Sequence, residues 1–109
     1  MLSHGIEVSG DVLDAETRCA HYHAPCDIIA IRFACCGVYY PCHACHAAHA
    51  GHAAVPWEPA QFGTRAVLCG HCGHELTISE YLACNYACPR CGAAFNPRCH
   101  DHNGLYFRQ

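Results

Sequence analysis

Tyr40-Pro41-Cys42-His43-Ala44-Cys45-His46 is the stretch on which the reading of this chain turns. Two cysteines three apart, with a histidine alongside, carry the donor atoms that tetrahedral zinc prefers, and one turn of backbone brings both thiols to a common point. The pattern recurs along the chain. Further Cys-x-x-Cys pairs stand at Cys69/Cys72 and Cys88/Cys91, a vicinal pair at Cys35–Cys36, a Cys-x-His at Cys19/His21, and one more histidine at His52. The 109 residues hold 12 cysteines and 11 histidines. A single pair would say little; three pairs in so short a chain say metal.

Composition explains why metal is needed. The hydrophobic fraction of 52% is swollen by cysteine and alanine, and Leu, Ile, Val and Phe make up only 20 of the 109 residues. That is close to the limit below which an apolar core is hard to build. A chain of this size buries roughly two-thirds of its unfolded surface even when well packed. Structural zinc offsets the shortfall by roughly 10–16 kcal/mol per site in finger peptides. The expectation is a small metal-stabilised α+β domain, zinc knuckles joined by short strands and short helices, with little regular core.

A disulfide framework is the competing reading of so many cysteines, and it belongs to oxidising compartments. Met1 to Asp14 shows no basic stretch followed by an apolar one, so no secretory signal is visible, and it holds no arginine of the kind that marks a mitochondrial transit peptide. No run approaches the roughly 18 apolar residues of a membrane span. All six basic residues are arginines (Arg18, Arg32, Arg65, Arg90, Arg98, Arg108), scattered rather than clustered, which argues against nucleic acid as the partner.

Along the chain, residues 1–17 read as a poorly ordered or edge segment ahead of a metal-binding domain at 18–109. Asp27 to Ala34 is rich in β-branched residues and reads as a strand, with Gly37 offering a turn and Val38–Tyr40 a returning strand. Pro41 suits a helix start, and alanine supports a helix from Cys42 to Ala54. At roughly 100° per residue, Cys42, Cys45, His46, His49 and His52 would share one face about 120° wide, while His43 would lie off it. Trp57 and Phe62, in a Pro/Gly linker, read as caps on a small core. Ala66–Cys69 and Glu75–Ile78 read as strands around a knuckle, Ser79 as the cap of a helix from Glu80 to Cys84, and Cys88-Pro-Arg-Cys91-Gly92 as a second knuckle.

Taken together, Cys19-Ala-His21-Tyr22, Cys35-Cys36, Tyr40-Pro41-Cys42-x-x-Cys45-His46, His52, Cys69-x-x-Cys72 and Cys88-x-x-Cys91 resemble the CHY-type zinc finger. The segments C-C-G-V-Y-Y-P-C (35–42), E-L-T-I-S-E-Y-L (75–82) and F-N-P-R-C-H-D-H-N-G-L-Y-F (95–107) are similar to its small stand-alone, helper-of-Tim-like subgroup. The likeness runs from about residue 10 to residue 108. It implies about three zinc ions held by Cys19, His21, Cys35, Cys36, Cys42, Cys45, His46, His52, Cys69, Cys72, Cys88 and Cys91. The last four would form a self-contained site. The first eight would form two interleaved sites, with Cys19/His21 joining Cys42/Cys45 and Cys35/Cys36 joining His46/His52 as the favoured of the possible divisions. Loading three ions through nine thiolates takes the formal charge from −3 to about −6. Cys26 reads as a small buried residue, Cys84 as packing with alternate ligation open, and Cys99 and His102 as tail residues with metal binding open.

The functional expectation is a structural zinc-binding module acting in protein interaction or assembly, not an enzyme. It would be a monomer with an unknown protein partner, without nucleic acid or membrane. The alternative is a thiol-redox or zinc-transfer factor supporting a disulfide relay, for which Cys26, Cys84 and Cys99 would be the spare thiols. The arginine-only basic set and abundant alanine suggest a GC-rich, bacterial genome and a cytoplasmic protein, the alternative being the mitochondrial intermembrane space of a eukaryote. Removing the metal with a strong chelator is expected to unfold the domain, because so small an apolar core does not hold the chain alone. Circular dichroism and one-dimensional NMR check this, and dispersed amide signals in fully metal-free protein would contradict it.

Overall fold

The structure, a computed structural model, describes residues 1–96 and 103–108. The run Ile28-Ile29-Ala30-Ile31 is apolar at every position and is buried at every position, because both faces of the strand it forms are covered. That strand, β3 (Ile29–Arg32), lies inside a four-stranded antiparallel sheet of order β4-β3-β5-β6, with β4 at Tyr39–Tyr40, β5 at Arg65–Cys69 and β6 at Glu75–Thr77. The register pairs Ile31 with Tyr40, Ile29 with Cys69, and Leu68 with Glu75. The strands expected from the sequence are present within a residue or two. The fold class is the expected one: a small α+β domain of short elements with little regular core.

One face of the sheet presents Ile29, Ile31, Tyr40, Val67 and Leu76 to the larger apolar cluster. Aromatic rings complete it. Phe33 meets Tyr40 and Tyr106 edge-on at 5.7 and 5.5 Å, and Tyr81 packs against Phe95 and Phe107. Trp57 caps this side as expected, donating from Nε1 to the Arg32 carbonyl at 2.7 Å, and it exchanges backbone hydrogen bonds with the chain's last described segment around α3 (Asn103–Tyr106). The linker holding Trp57 also forms a short 3-10 turn at Pro59–Gln61.

The other face carries Ala30, Tyr39 and Leu68, and the N-terminal segment covers it. Residues 1–17 are therefore an edge segment that is folded, not loose. Strands β1 (Leu2–Ser3) and β2 (Ile6–Glu7) form a hairpin whose turn places His4 at φ 51° and Gly5 at φ 82°, the paired left-handed positions of a tight hairpin. Val8 follows, fully buried against Ala30, Tyr39 and Leu68. Beyond it, Val12 bridges to Cys19. The expectation of weak order failed because the segment is too polar to announce a strand, while Val8, with Ile6 and Val12 beside it, suffices to cover the sheet face.

Two helix expectations are corrected. Helix α1 runs His43–His49, not to Ala54, with Cys42 as its N-cap and Gly51 at φ 70° turning the chain away. Helix α2 (Ile78–Ala83) is capped by Thr77 instead of Ser79. Thr77 accepts from the Glu80 N–H and Glu80 accepts from the Thr77 N–H, the reciprocal pairing of a Thr-x-x-Glu box. Counting back from Glu80 finds it.

Gly70 is where the N-terminal segment grips the rest. Its N–H donates to the Ile28 carbonyl and its carbonyl meets His4 Nε2 at 2.8 Å, while a Cβ there would fall 2.2 Å from the Glu16 carbonyl oxygen. Gly70→Ala is expected to cost about 1–3 kcal/mol through forced displacement of backbone. Gly63→Ala, whose Cβ would meet nothing within 4 Å, is the control and should stay within about 0.5 kcal/mol. Denaturant melts measure both, and equal losses would mean that residues 1–17 do not pack on the turn.

Candidate metal centres

Three groups of four side chains converge, each with its donor atoms within 4.8 Å of one another: Cys19/His21/Cys42/Cys45, Cys35/Cys36/His46/His52 and Cys69/Cys72/Cys88/Cys91. These are the twelve residues expected from the sequence, in the favoured division. Their spacing can be set against that of a tetrahedral zinc site. Zinc with Zn–S bonds near 2.3 Å sets tetrahedral S···S edges of about 3.8 Å and S···N edges of about 3.5 Å. The structure has Cys19–Cys42 at 3.7 Å, Cys69–Cys91 at 3.8 Å, Cys72–Cys88 at 3.7 Å and Cys35–Cys36 at 3.9 Å. His21 Nδ1 stands 3.4 Å from Cys45 Sγ and 3.6 Å from Cys42 Sγ. A disulfide would need about 2.05 Å, and every described cysteine is free. The donor sets Cys₃His, Cys₂His₂ and Cys₄ are all sets that tetrahedral zinc accepts.

The first centre joins the Cys19–His21 loop to the start of α1. Cys42 serves twice, since its sulfur also accepts the Cys45 N–H at 3.3 Å as the helix N-cap. Cys19, Cys42 and Cys45 are buried and His21 is exposed. The hydrogen bond that Cys19 shares with Cys42 pulls the Cys19 thiol down to about 5, helped by the N–H groups of Tyr22 and His21 against the opposing effect of burial. The same hydrogen bond, with burial, pushes the Cys42 thiol far up. Burial also raises Cys45, while the Asp11 N–H works the other way. Thiols this close do not all ionise unless a cation sits among them.

Interleaved with it is the second centre, built from the β3–β4 turn and the far side of α1. His46 is 1% exposed, stacked on Phe33 with centroids 4.1 Å apart, and its Nε2 lies 3.2 Å from Cys35 Sγ. Burial first, then the nearby His52, lowers its pKa, which keeps it the neutral imidazole that coordinates metal. The single ligand face expected on α1 is thus split. Cys42 and Cys45 turn to one centre, His46 to the other, and His52 comes from beyond the helix end, where the Gly51 turn brings its ring within 5.0 Å of the His46 ring.

A repeated turn builds the third centre. In Cys69–His74 the Cys69 N–H donates to the His74 carbonyl and the Gly73 N–H to the Cys69 carbonyl; in Cys88–Ala93 the corresponding bonds run Cys88 to Ala93 and Gly92 to Cys88. Gly73 and Gly92 take φ 83° and 78°, which a Cβ would resist. The turn occurs a third time where the sequence showed no repeat. Phe33 donates to Val38 and Gly37 to Phe33, with Gly37 at φ 69°. Phe33 takes the place of the first knuckle cysteine, Cys36 that of the second, and Cys35 is added between them.

The remaining residues fall outside the three groups. Cys26 is half-buried, and Cys84 caps α2 and donates its thiol to the Tyr81 carbonyl at 3.1 Å, so the alternate ligation left open for Cys84 is not what the structure shows. His43 starts α1 and makes hydrogen bonds to Tyr22 and Tyr106, away from the donors as expected. His49, on the expected ligand face, instead pairs with Asp11 at 3.1 Å. Cys99 and His102 lie outside the described residues. Missing from the sequence reading was Asp11, which supplies an N–H to Cys45 and a carboxylate to His49; the close fit of Gly10 against Cys45 is what brings it there.

The sequence model of the CHY zinc finger matches residues 19–81, which hold ten of the twelve grouped side chains. An uncharacterized protein of Schizosaccharomyces pombe is 41% identical over 100 residues, spanning 92% of this chain and 88% of its own. Helper of Tim protein 13 of Saccharomyces cerevisiae is 39% identical over 104 residues, spanning 93% and 90%, and that of Kluyveromyces lactis is 37% identical over 101 residues, spanning 93% and 88%. No solved structure matches. The family and the three Cys/His groups together support about three zinc ions per chain. With the match covering more than half its length, the chain belongs to the CHY zinc finger family.

Proposed function

We propose that the chain is a structural zinc-binding module that works in protein assembly, with each of the three groups holding one ion. The observation that carries this is the convergence of twelve donors into three complete sets of four. A complete tetrahedral set leaves no position for an activated water, so the ions tie segments together rather than perform hydrolysis. The first two sets link residues 19–21, 35–36 and 42–52, and the third links the two knuckles.

The partner in this reading is a protein, and the chain itself a monomer that engages neither nucleic acid nor membrane. Two relatives are named for helping a Tim protein, which favours an assembly role of that kind here and the mitochondrial alternative over the cytoplasmic one. Among the described residues no helix is long and apolar enough to cross a membrane. The zinc-binding domain is read as 18–109, with residues 1–17 as its covering segment. Transfer of zinc is the second reading, favoured by the exposure of Cys36 and His52 in the second centre.

Elemental analysis of native protein is expected to give about three zinc per chain, at four ligands each. One or none, with the cysteines oxidised, would sink the metal assignment, and a value near four would promote Cys99 and His102 to ligands. Replacing Cys26, Cys84 and Cys99 together by Ser should preserve both the zinc content and any exchange with a small dithiol. A folded triple mutant that has lost disulfide exchange would move the function to thiol redox chemistry.

A further inference from the structure

The three centres are not equally protected. In the first, Cys19, Cys42 and Cys45 are buried, with exposures of 0%, 4% and 0%, and His21 alone is exposed; in the third, Cys69 and Cys88 are buried at 0% and 3%, Cys72 is half-buried and Cys91 is exposed. In the second, only His46 is buried, Cys35 is half-buried, and Cys36 and His52 are exposed.

Backbone support is likewise least at the second centre. At the third centre Cys69 receives the N–H groups of His71 and Cys72, and Cys88 those of Arg90 and Cys91. At the first, Cys19 receives those of His21 and Tyr22. Such donors spread the charge of a metal-bound thiolate and hold it in place. The β3–β4 turn repeats the knuckle, but the position whose sulfur collects two N–H groups elsewhere is occupied by Phe33, whose ring stacks on His46 instead. Cys36 receives the Val38 N–H, as Cys91 receives that of Ala93.

His52 is held more loosely still. It lies past the end of α1, and among the described residues no backbone hydrogen bond anchors residues 51–56. Beside it an open groove of 450 Å³, lined by Phe33, Ala47, Ala54, Pro56 and Leu105, reaches both His46 and His52.

We infer that the Cys35/Cys36/His46/His52 centre is the exchangeable one, yielding its ion to an incoming dithiol while the other two centres keep the chain folded. This rests on the twelve-ligand assignment above. In that exchange His52 would swing out with its segment, a thiolate of the acceptor would enter from the groove, and Cys36, then Cys35 and last His46 would give way to it. Zinc(II) keeps its charge throughout. The two thiolates that release it take up the two protons that the acceptor's thiols give up, so the step needs no oxidant or reductant.

The test follows release from zinc-loaded protein to a reduced dithiol peptide and, separately, to a colorimetric chelator, by stopped flow. One equivalent should leave about tenfold faster than the other two, or more. His52→Cys, which adds a third thiolate, should slow that phase by a similar factor, and His52→Ala should give folded protein with two zinc and no fast phase. In cadmium-loaded protein, NMR separates S₂N₂, S₃N and S₄ centres, and the S₂N₂ signal should be lost first. Release of all three ions in one phase, or first loss from the S₃N or S₄ signal, overturns the inference and leaves the three-site reading standing. Fewer than three ions in the wild type, or a His52→Cys variant that keeps its S₂N₂ signal, would sink the ligand assignment itself.

Discussion

Everything in this fold depends on thiols and imidazoles held closer together than their own chemistry tolerates. Sulfur atoms 3.7 to 3.9 Å apart repel once ionised, and the opposed behaviour of Cys19 and Cys42, one pulled down and the other pushed up, shows that conflict within a single pair. A divalent cation resolves it, turning mutual repulsion into attraction toward one point. The rest of the structure is arranged to keep those points in place. Strands β3 and β5 present Cys69 at the sheet's end, the β3–β4 turn presents Cys35 and Cys36, and the N-terminus of α1 presents Cys42 and Cys45.

Local backbone chemistry decides what each cysteine pair becomes. Where glycine follows the second cysteine, as in Gly73 and Gly92, the chain takes a left-handed step and closes a knuckle between short strands or bridges. Where Pro41 precedes and His46 follows, no such step is available, and the pair opens a helix with Cys42 as its cap. Gly37 makes the third knuckle although Phe33 stands where a thiol would be expected. That substitution trades a ligand for a stacking ring, adding to the aromatic core at the second centre while reducing backbone support for its thiolates.

Packing then ties the centres into one body. Val8 covers the sheet face opposite the aromatic cluster, Asp11 supports Cys45 and pairs with His49, and Glu16 binds both Arg18 and His71 on the knuckle turn. The side-chain hydrogen bonds of His71 and then Arg18 hold the Glu16 carboxyl below its ordinary range, though water reaches this surface network and its contribution is small. Residues 1–17 therefore run past the first centre and the third, and their loss would uncover a sheet face rather than trim a tail.

Much of this was legible from residues alone. The ligand types, the spacing of the pairs, the strands around Ile29 and Val67, and the core role of Trp57 all follow from local pattern, because ligand geometry and strand propensity act over a few residues. The capping box at Thr77 and the stop at Gly51 were also written there, as single residues whose backbone demands outweigh the alanine and histidine around them. The place of Val8, the turn of His49 toward Asp11, and the unequal exposure of the three centres were decided only in the tertiary structure. Each of these depends on segments distant in sequence meeting across the sheet or α1, and the spacing of cysteines along the chain carries no information about which of them water will reach.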